Sequence, residues 1–174
     1  TKELHDLGFL KSGFAIDLAA CAPGPHGADQ ISFGFAPNPG EPMRPLKAIA
    51  SSGEIARVML AVKTVLAAHD SIPVLVFDEI DANIGGEVGR AVGQKMRRVA
   101  EGHQVISITH LPQAAVFGTH HFVVSKEVSK GRTKMRIEEL DAAQRVDEIA
   151  RMLGGKGLTS VIENHARELL ASAR

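Results

Sequence analysis

The sequence predicts an α/β fold with a mostly parallel central sheet flanked by helices, together with an antiparallel β extension. The apolar run of residues 74–77 predicts a strand of a parallel sheet that is buried on both faces, where polar alternation is not expected, and residues 104–109 predict another buried strand. Between them, apolar residues at positions 88, 92, 96 and 99 predict an amphipathic helix. A strand, a helix and a strand at this spacing indicate a right-handed βαβ unit, whose two strands end at one edge of the sheet.

The composition fits one domain without a dominant charge. The 174 residues suffice for a single core, and we expect residues 1–174 to form one domain. Lys and Arg number 20 and Asp and Glu number 20, so any contact with nucleic acid must come from a local patch. The absence of Trp and Tyr, with only 7 Phe, argues against aromatic stacking platforms for single-stranded nucleic acid.

Cysteine usage and hydropathy indicate a reducing compartment. The single cysteine, Cys21, has no second cysteine in the chain with which to form a disulfide. The sequence shows neither a signal peptide nor an apolar run of membrane-spanning length. We therefore expect a cytoplasmic, soluble protein.

The first quarter of the chain predicts a helical stub, a hairpin and a loop. Residues 1–8 contain two leucines three apart and then a glycine, as at the end of a helix. A globular domain rarely starts inside a helix, so we expect this chain to be the back portion of a longer protein. Residues 14–18 and 30–35 alternate apolar with small or polar residues, which predicts a β-hairpin with one buried face. Four prolines within residues 37–45 exclude regular structure there.

A turn of small residues leads directly into an amphipathic helix. Ser51, Ser52, Gly53 and Glu54 are followed by apolar residues at spacings of three and four, up to position 66. Free backbone N–H groups and hydroxyls at the positive end of a helix dipole can bind an anion, phosphate in particular. The alternative is an ordinary serine N-cap, which this stretch alone favours.

The first strand of the βαβ unit stops at carboxylates. Asp78, Glu79 and Asp81 are then expected at the carboxyl end of a buried strand, where open α/β sheets bind their ligands. Three neighbouring acids repel one another unless a cation or donated hydrogen bonds compensate, so the cluster predicts a metal-bound phosphate site. The alternative is a strand end that meets water and caps the next helix.

A histidine ends the second strand of the βαβ unit. His110 follows residues 104–109, and Pro112 suits the first turn of a helix. Because parallel strands of one unit end at a common edge, we expect His110 to lie near Asp78 and Glu79. A structural histidine without a chemical role is the alternative.

The last third predicts a second hairpin and two capped helices. Residues 121–126 and 133–138 predict strands around a turn. The basic run from Lys130 to Arg136 has two explanations, contact with DNA phosphate or a charged edge strand, and the edge strand is favoured. Asp141 with Gln144 and Ser160 with Glu163 are expected to cap the two helices.

The order and spacing of these motifs resemble a known family. Ser-Ser-Gly-Glu, Val-Leu-Val-Phe-Asp-Glu, Asp-Ala-Asn-Ile-Gly-Gly and Ile-Thr-His follow one another as in the C-terminal lobe of an ABC-type ATPase head. Heads of this P-loop NTPase-like type occur in structural-maintenance-of-chromosomes (SMC) proteins. Asn-Pro-Gly-Glu-Pro at residues 38–42, Thr-His-Leu-Pro-Gln at 109–113 and Ala-Arg-Met-Leu-Gly-Gly at 150–155 are similar, more narrowly, to the RecN family of bacterial DNA repair proteins.

The resemblance implies that three residues act in ATP hydrolysis. Asp78 would hold Mg²⁺ through water, Glu79 would polarise the attacking water, and His110 would be the switch histidine near the γ-phosphate. Positioning and charge neutralisation are what phosphoryl transfer needs. ATP and Mg²⁺ are the implied cofactors, and DNA double-strand break repair and recombination is the implied process, with DNA as a partner.

Two further motifs would act between copies of the head. Ser51, Ser52, Gly53 and Glu54 would form the signature that reaches across a head-to-head homodimer to ATP bound on the partner, and Asp81 would couple the two sites. The family usually has Ser-Gly-Gly, so Ser52 stands where a glycine is usual. The added Cβ and hydroxyl are expected to restrict this turn.

One motif of the resembled family is absent from the sequence. No Gly-x-x-x-x-Gly-Lys-Ser/Thr occurs, since the Gly-Gly-Lys-Gly of residues 154–157 lacks the upstream Gly and the following Ser or Thr. We expect this Walker A loop in an N-terminal lobe of the same protein, joined by a coiled coil of which residues 1–8 would be the far end. The isolated chain should then be inactive. The alternative function is a non-catalytic dimerisation or scaffold module with the same fold.

Overall fold

Two compact units, residues 1–108 and 109–174, make up the computed structural model. The structure describes residues 1–25, 27–49, 51–67, 69, 71–129, 132–154 and 159–173. That residues 1–174 act as one domain stays a prediction. Among the described residues, no helix combines the length and the apolar character that a membrane span requires.

The first unit contains three α-helices, an antiparallel sheet and a parallel strand pair. The helices are α1 (Lys2–Asp6), α2 (Ser52–Leu66) and α3 (Gly86–Val99), and a short 3₁₀ helix (Leu46–Ala48) precedes α2. The strands are β1 (Gly13–Gly24), β2 (Gly27–Ala36), β3 (Arg44–Pro45), β4 (Val74–Phe77) and β5 (Gln104–Ser107). β1, β2 and β3 pair antiparallel, and β4 pairs with β5 in parallel. Helices with parallel and antiparallel strands confirm the predicted α/β class.

The N-terminal helix and the first hairpin form where the sequence predicts them. α1 ends before Gly8, whose φ of +92° is the left-handed conformation usual after a helix. The hairpin is longer than predicted and its apolar face is buried only at one end. There, the buried Phe35 ring packs edge-to-face on Phe9 with the ring centroids 5.1 Å apart. Further along, Ile16 and Leu18 are exposed, so the prediction of a buried face is wrong for most of the hairpin.

β4 and β5 end side by side. Phe77 lies opposite Ser107, and the Ile108 N–H donates to the Phe77 carbonyl at 3.0 Å. Since α3 connects the two strands, the predicted βαβ unit is confirmed. The residues that follow Phe77 therefore begin at the edge of the sheet where β5 also finishes.

Only one face of the parallel pair is buried within the first unit. Leu75 and Phe77 are buried, whereas Val76 is 62% exposed and Ile108 is 60% exposed. The prediction that β4 is buried on both faces is therefore wrong for this chain. The residues of β4 are apolar on both faces, but the first unit covers only one of these faces.

The helices of the first unit bury different kinds of residues. α3 buries Val92, Met96 and Val99 of the predicted apolar stripe together with Gly89 and Gly93, and Val88 is half-buried. α2 buries Arg57 and Thr64 instead of the predicted Val65 and Leu66, which are exposed. Polar residues can take these core positions because the backbone satisfies them, as when the Thr64 hydroxyl donates to the Leu60 carbonyl at 2.7 Å.

A lysine on α3 ties that helix to α1. Lys95 Nζ donates to the carboxylates of Glu3 and Asp6, and the distance to Asp6 Oδ2 is 2.8 Å. The hydrogen bond from Lys95 lowers the pKa of Asp6 below its usual value. Burial opposes the charge of Lys95, yet its bonds to Asp6 and Glu3 raise its pKa above the usual value.

Replacing Lys95 by methionine is expected to lower the free energy of unfolding by about 1 kcal/mol at neutral pH. The Asp6 part of this difference is present above the unfolded pKa of about 3.8 and is lost as pH falls through the lower folded value. The Lys95 part is present below about 10.5 and is lost as pH rises through the higher folded value. Urea unfolding at pH 3, 7 and 11 measures this profile. Arg98→Met, an exposed change on the same helix, is the control, and an equal loss in both variants would contradict the prediction.

The second unit contains a hairpin and three helices. The helices are α4 (Pro112–Ala115), α5 (Ala142–Gly154) and α6 (Ser160–Ser172), and the antiparallel strands are β6 (Phe122–Ser129) and β7 (Arg132–Glu139). Its core cluster joins α4, α5 and α6 through Val116, Phe117, Ile149, Ala150 and Ala166. Pro112 occupies the first turn of α4, as predicted.

The helix caps of the second unit follow the sequence closely. Asp141 Oδ1 accepts the Gln144 N–H at 2.8 Å, and Gln144 Oε1 accepts the Asp141 N–H at 2.9 Å. This reciprocal pair is the capping box predicted for α5. α6 is capped by Thr159, whose Oγ1 accepts the Ile162 N–H at 3.4 Å, so the prediction of Ser160 as the cap is wrong by one residue.

Candidate functional site

The turn that follows β4 presents two exposed carboxylates at the edge of the sheet. Asp78 and Glu79 come directly after Phe77 and are both exposed. Glu79 has φ +55°, a left-handed conformation that non-glycine residues rarely adopt. Its carbonyl accepts the Ala82 N–H at 3.0 Å, which closes a turn over residues 79–82. Strained backbone of this kind is concentrated at functional sites in proteins.

The first turn of α2 is capped by a serine. Ser51 has an extended backbone, and its Oγ accepts the Glu54 N–H at 3.3 Å. The ordinary N-cap that the sequence offered as an alternative is therefore present. Binding of an anion at this helix start stays a prediction.

The first turn of α2 lies directly against the turn after β4. A Cβ placed on Gly53 would lie 2.9 Å from the Ala82 Cβ and 3.0 Å from the Glu79 carbonyl oxygen. The first distance is shorter than real Cβ contacts, and the second, to a backbone atom, is tighter than nine in ten of them. The closeness of α2 to the strand-end turn therefore requires glycine at position 53.

A side-chain hydrogen bond joins the same two segments. Ser52 is the first residue of α2, and its Oγ donates to Glu79 Oε2 at 2.5 Å. Both side chains are exposed, so this bond lies at the surface of the first unit. Residues that are 27 positions apart in sequence thus meet at one point.

A buried arginine, which sequence reasoning missed, supports the turn after β4. Arg57 Nη1 donates to the Ala82 carbonyl at 3.1 Å and, at a longer distance of 3.4 Å, to the Ile80 carbonyl. The guanidinium carbon lies 5.2 Å from the centroid of the Phe9 ring. Burial lowers the pKa of Arg57 below its usual value. The available signal was its position four residues after Gly53, on the same face of the helix.

The three acids predicted as a cluster do not converge. Asp81 is only 2% exposed, whereas Asp78 and Glu79 are exposed. Within the part of the chain that the structure describes, no group of three or more His, Cys, Asp or Glu side chains is placed to hold a metal ion. The expectation that these three acids form one cluster is therefore wrong, whereas a metal-bound phosphate at this strand end stays a prediction. A single exposed carboxylate such as Asp78 still fits Mg²⁺, which keeps several waters and takes its remaining ligands from phosphate.

His110 lies in the second unit, two residues after Ile108. It is exposed. β5, the strand that precedes it, ends beside Phe77. That His110 lies near Asp78 and Glu79 stays a prediction.

The basic hairpin of the second unit carries its own acidic partners. Arg136 lies 2.5 Å from Glu138 and 3.9 Å from Glu127, and Glu127 stands opposite Lys134 in the strand register. Mixed charge of this kind is typical of an edge strand kept from aggregating. Lys130 lies outside the described residues, as do residues 155–157 of the Gly-Gly-Lys-Gly motif. DNA contact by this run stays a prediction.

An open apolar pocket lies beside the site, between α2 and β4. It measures about 440 Å³ and is lined mostly by apolar side chains, with Ser52, Lys63 and Asp78 as its polar members. Ile55 and Met59 form its α2 wall and Val76 belongs to its β4 wall. The pocket thus adjoins the exposed face of the parallel strand pair.

Comparison with solved structures defines the class of fold. The chain matches the Smc head domain with a coiled coil and joint from Pyrococcus yayanosii, with a TM-score of 0.58, 18% identity, 85% of this chain covered and 27% of that chain covered. At this identity the likeness shows the fold, so the chain has the fold of an SMC-type head.

Sequence comparison narrows the class. No family model matches the chain. The chain is 37% identical, over 97% of its length, to the DNA repair protein RecN of Halalkalibacterium halodurans, and 47% identical, over 85% of its length, to that of Xylella fastidiosa. It spans 31% and 27% of the length of these relatives. The chain belongs to the RecN family, as a segment that matches about a third of its members' length.

Proposed function

We propose that the chain is the C-terminal lobe of an ATP-binding and ATP-hydrolysing head in a RecN-like protein of DNA double-strand break repair and recombination. The observation that carries the proposal is the contact between the first turn of α2 and the exposed carboxylates after β4. There, a helix start that can bind a phosphate lies against a carboxylate that can accept a proton from water.

The catalytic roles rest on the two exposed acids and on His110. Asp78 would hold Mg²⁺, which neutralises phosphate charge when bound. Glu79 would accept a proton from the attacking water as it approaches the γ-phosphate. His110 would contact the same phosphate as the switch histidine. The exposure of all three side chains supports these roles, since each must meet a ligand that the lobe does not itself contain.

The dimer roles rest on the α2 helix start and on Asp81. Ser51, Ser52, Gly53 and Glu54 would bind the γ-phosphate of ATP held by the partner in a head-to-head homodimer. Backbone N–H groups at a helix start favour that charge. Asp81 would couple the two sites, and its burial beside residues held by Arg57 supports a fixed position.

The exposed apolar face of β4 and β5 supports an N-terminal lobe as the intramolecular partner. Val74, Val76, Ile106 and Ile108 lie along it. Exposed apolar strands on one face are expected where another segment packs. Relatives about three times as long as this chain have ample sequence for such a lobe, which would bring the Walker A loop. We place the protein in the cytoplasm, associated with the nucleoid and with DNA.

A non-catalytic dimerisation or scaffold module is the second candidate. Ser52 in place of the usual glycine and the missing Walker A motif favour it. Such a module would keep the fold and the partner surface but would hydrolyse nothing.

ATP turnover and self-association of the full-length protein separate the two candidates. We expect Mg²⁺-dependent turnover and ATP-dependent dimers from the full-length protein, and from this chain co-expressed with the Walker A lobe. The chain alone should bind ATP weakly and hydrolyse none. Submicromolar ATP affinity of the isolated chain would contradict the two-lobe arrangement. A full-length protein that binds ATP without turnover would favour the scaffold.

A further inference from the structure

We infer that Ser52 is a positioning residue for Glu79, which it holds against the start of α2 until a phosphate arrives there. The inference rests on the proposed function and names how the site is regulated. The family usually has glycine at this position, and glycine has no hydroxyl that could donate a hydrogen bond to Glu79.

The geometry places the Glu79 carboxylate where the signature is proposed to bind a phosphate. Ser52 is the first residue of α2, and its Oγ donates to Glu79 Oε2 at 2.5 Å. The carboxylate therefore lies at the positive end of the α2 dipole, a position that favours an anion. In the chain alone, the Glu79 carboxylate is therefore the anion that lies at the start of α2.

The backbone on both sides fixes this arrangement. Glu79 is held in its left-handed conformation by a turn in which its carbonyl accepts the Ala82 N–H at 3.0 Å. The close approach of Gly53 to the same carbonyl keeps α2 in place. The hydrogen bond from Ser52 thus joins two segments that are already in contact, so little conformational freedom is lost in forming it.

Arrival of a γ-phosphate at the helix start would break this bond. Two anions within a few ångströms of each other repel, and a phosphate carries more charge than a carboxylate. The phosphate therefore displaces Glu79 from Ser52, and the freed Oε2 becomes available to a water molecule. Head engagement and release of the proton acceptor would then be one event, which keeps turnover low in heads that have not engaged.

Removing the Ser52 hydroxyl in the full-length protein tests the inference. We expect Ser52→Ala and Ser52→Gly to raise basal ATP turnover roughly 3- to 10-fold at protein concentrations where few dimers form, the range expected for one exposed charge-assisted hydrogen bond. Both should also tighten the dimer formed with Mg²⁺ and a non-hydrolysable ATP analogue. Ser52→Thr keeps the hydroxyl, so its turnover and its dimer affinity should lie closer to those of the wild type than the values of Ser52→Ala do.

The matched control is Ser172→Ala, which removes a hydroxyl that donates to the Leu169 carbonyl at 2.9 Å on α6. It should change neither turnover nor dimerisation. Thermal melts of all variants verify that they fold, and Ser52, as an exposed first-turn residue, tolerates these changes.

A double-mutant cycle with Glu79→Ala isolates the contact. Ser52→Ala should tighten the analogue-bound dimer when Glu79 is present and should have no effect when it is absent. Weaker dimers after Ser52→Ala in both backgrounds would mean that the Ser52 hydroxyl, and not only its backbone N–H, binds the phosphate, and would overturn the inference. Unchanged turnover and dimerisation in every Ser52 variant would overturn it too. The proposed function is tested separately, by the turnover of the Glu79→Gln variant.

Discussion

Replacing Glu79 by glutamine is expected to abolish ATP turnover by the full-length protein while ATP-dependent dimers remain. The amide keeps the size of the side chain and can still accept a hydrogen bond from Ser52, but it cannot take a proton from water. General-base catalysis contributes typically 10² to 10⁴ in rate, so we expect a loss of at least about 100-fold in kcat. Steady-state phosphate release measures turnover, and sedimentation with Mg²⁺-ATP measures the dimer.

Glu101→Gln is the matched control for this prediction. Glu101 is an exposed glutamate in the turn after α3, and its replacement makes the same change of charge away from the strand end. We expect it to leave turnover unchanged. A Glu79→Gln variant that keeps more than about a third of wild-type turnover would remove Glu79 from the chemistry.

Local sequence patterns were sufficient to predict most elements of the fold. Apolar runs predicted β4 and β5, their parallel pairing followed from the helix between them, and Asp141 with Gln144 predicted the cap of α5. These features depend on residues close in sequence or on the standard geometry of a βαβ unit. They are confirmed within about two residues at their ends.

Burial was predicted less well, because apolar pattern does not say what covers a face. Val76 in β4 and Ile16 in β1 are apolar and exposed. Both belong to strand faces that the first unit does not itself cover. These exposed faces fit the proposed packing of an N-terminal lobe, since the chain spans about a third of its relatives' length.

The geometry of the candidate site depends on contacts between residues that are far apart in the sequence, and the spacing of motifs does not predict such contacts. The bond between Ser52 and Glu79 joins positions 27 apart, and Arg57 reaches a carbonyl 25 positions away. The sequence predicted three converging acids because they are neighbours in the chain. The turn after β4 separates them, since its tight geometry buries Asp81 and leaves Asp78 and Glu79 at the surface.

Arg57 is the second residue whose replacement should have a large effect. Its guanidinium bonds the carbonyls of Ile80 and Ala82 and stacks on Phe9, so it links α2 to the segment that follows α1 and to the turn after β4. Burial opposes its charge, as the lowered pKa indicates, and Arg57 Nε has no hydrogen-bond partner among the residues that the structure describes. The bonds of Nη1 and the ring contact must therefore offset a real desolvation cost.

Arg57→Met is expected to lower the free energy of unfolding by about 2 to 3 kcal/mol. Methionine fills a similar volume, but it leaves the two carbonyls unpaired, which costs about 1 to 3 kcal/mol each. It also loses the cation–π contact, worth about 1 kcal/mol. The recovered desolvation cost of the guanidinium offsets part of this loss. Urea unfolding measures the loss, and amide exchange should rise over residues 79–82. Arg97→Met, exposed on α3, should have little effect. If Arg57→Met were as stable as the wild type, desolvation would outweigh the bonds, and Arg57 would position the turn without stabilising the fold.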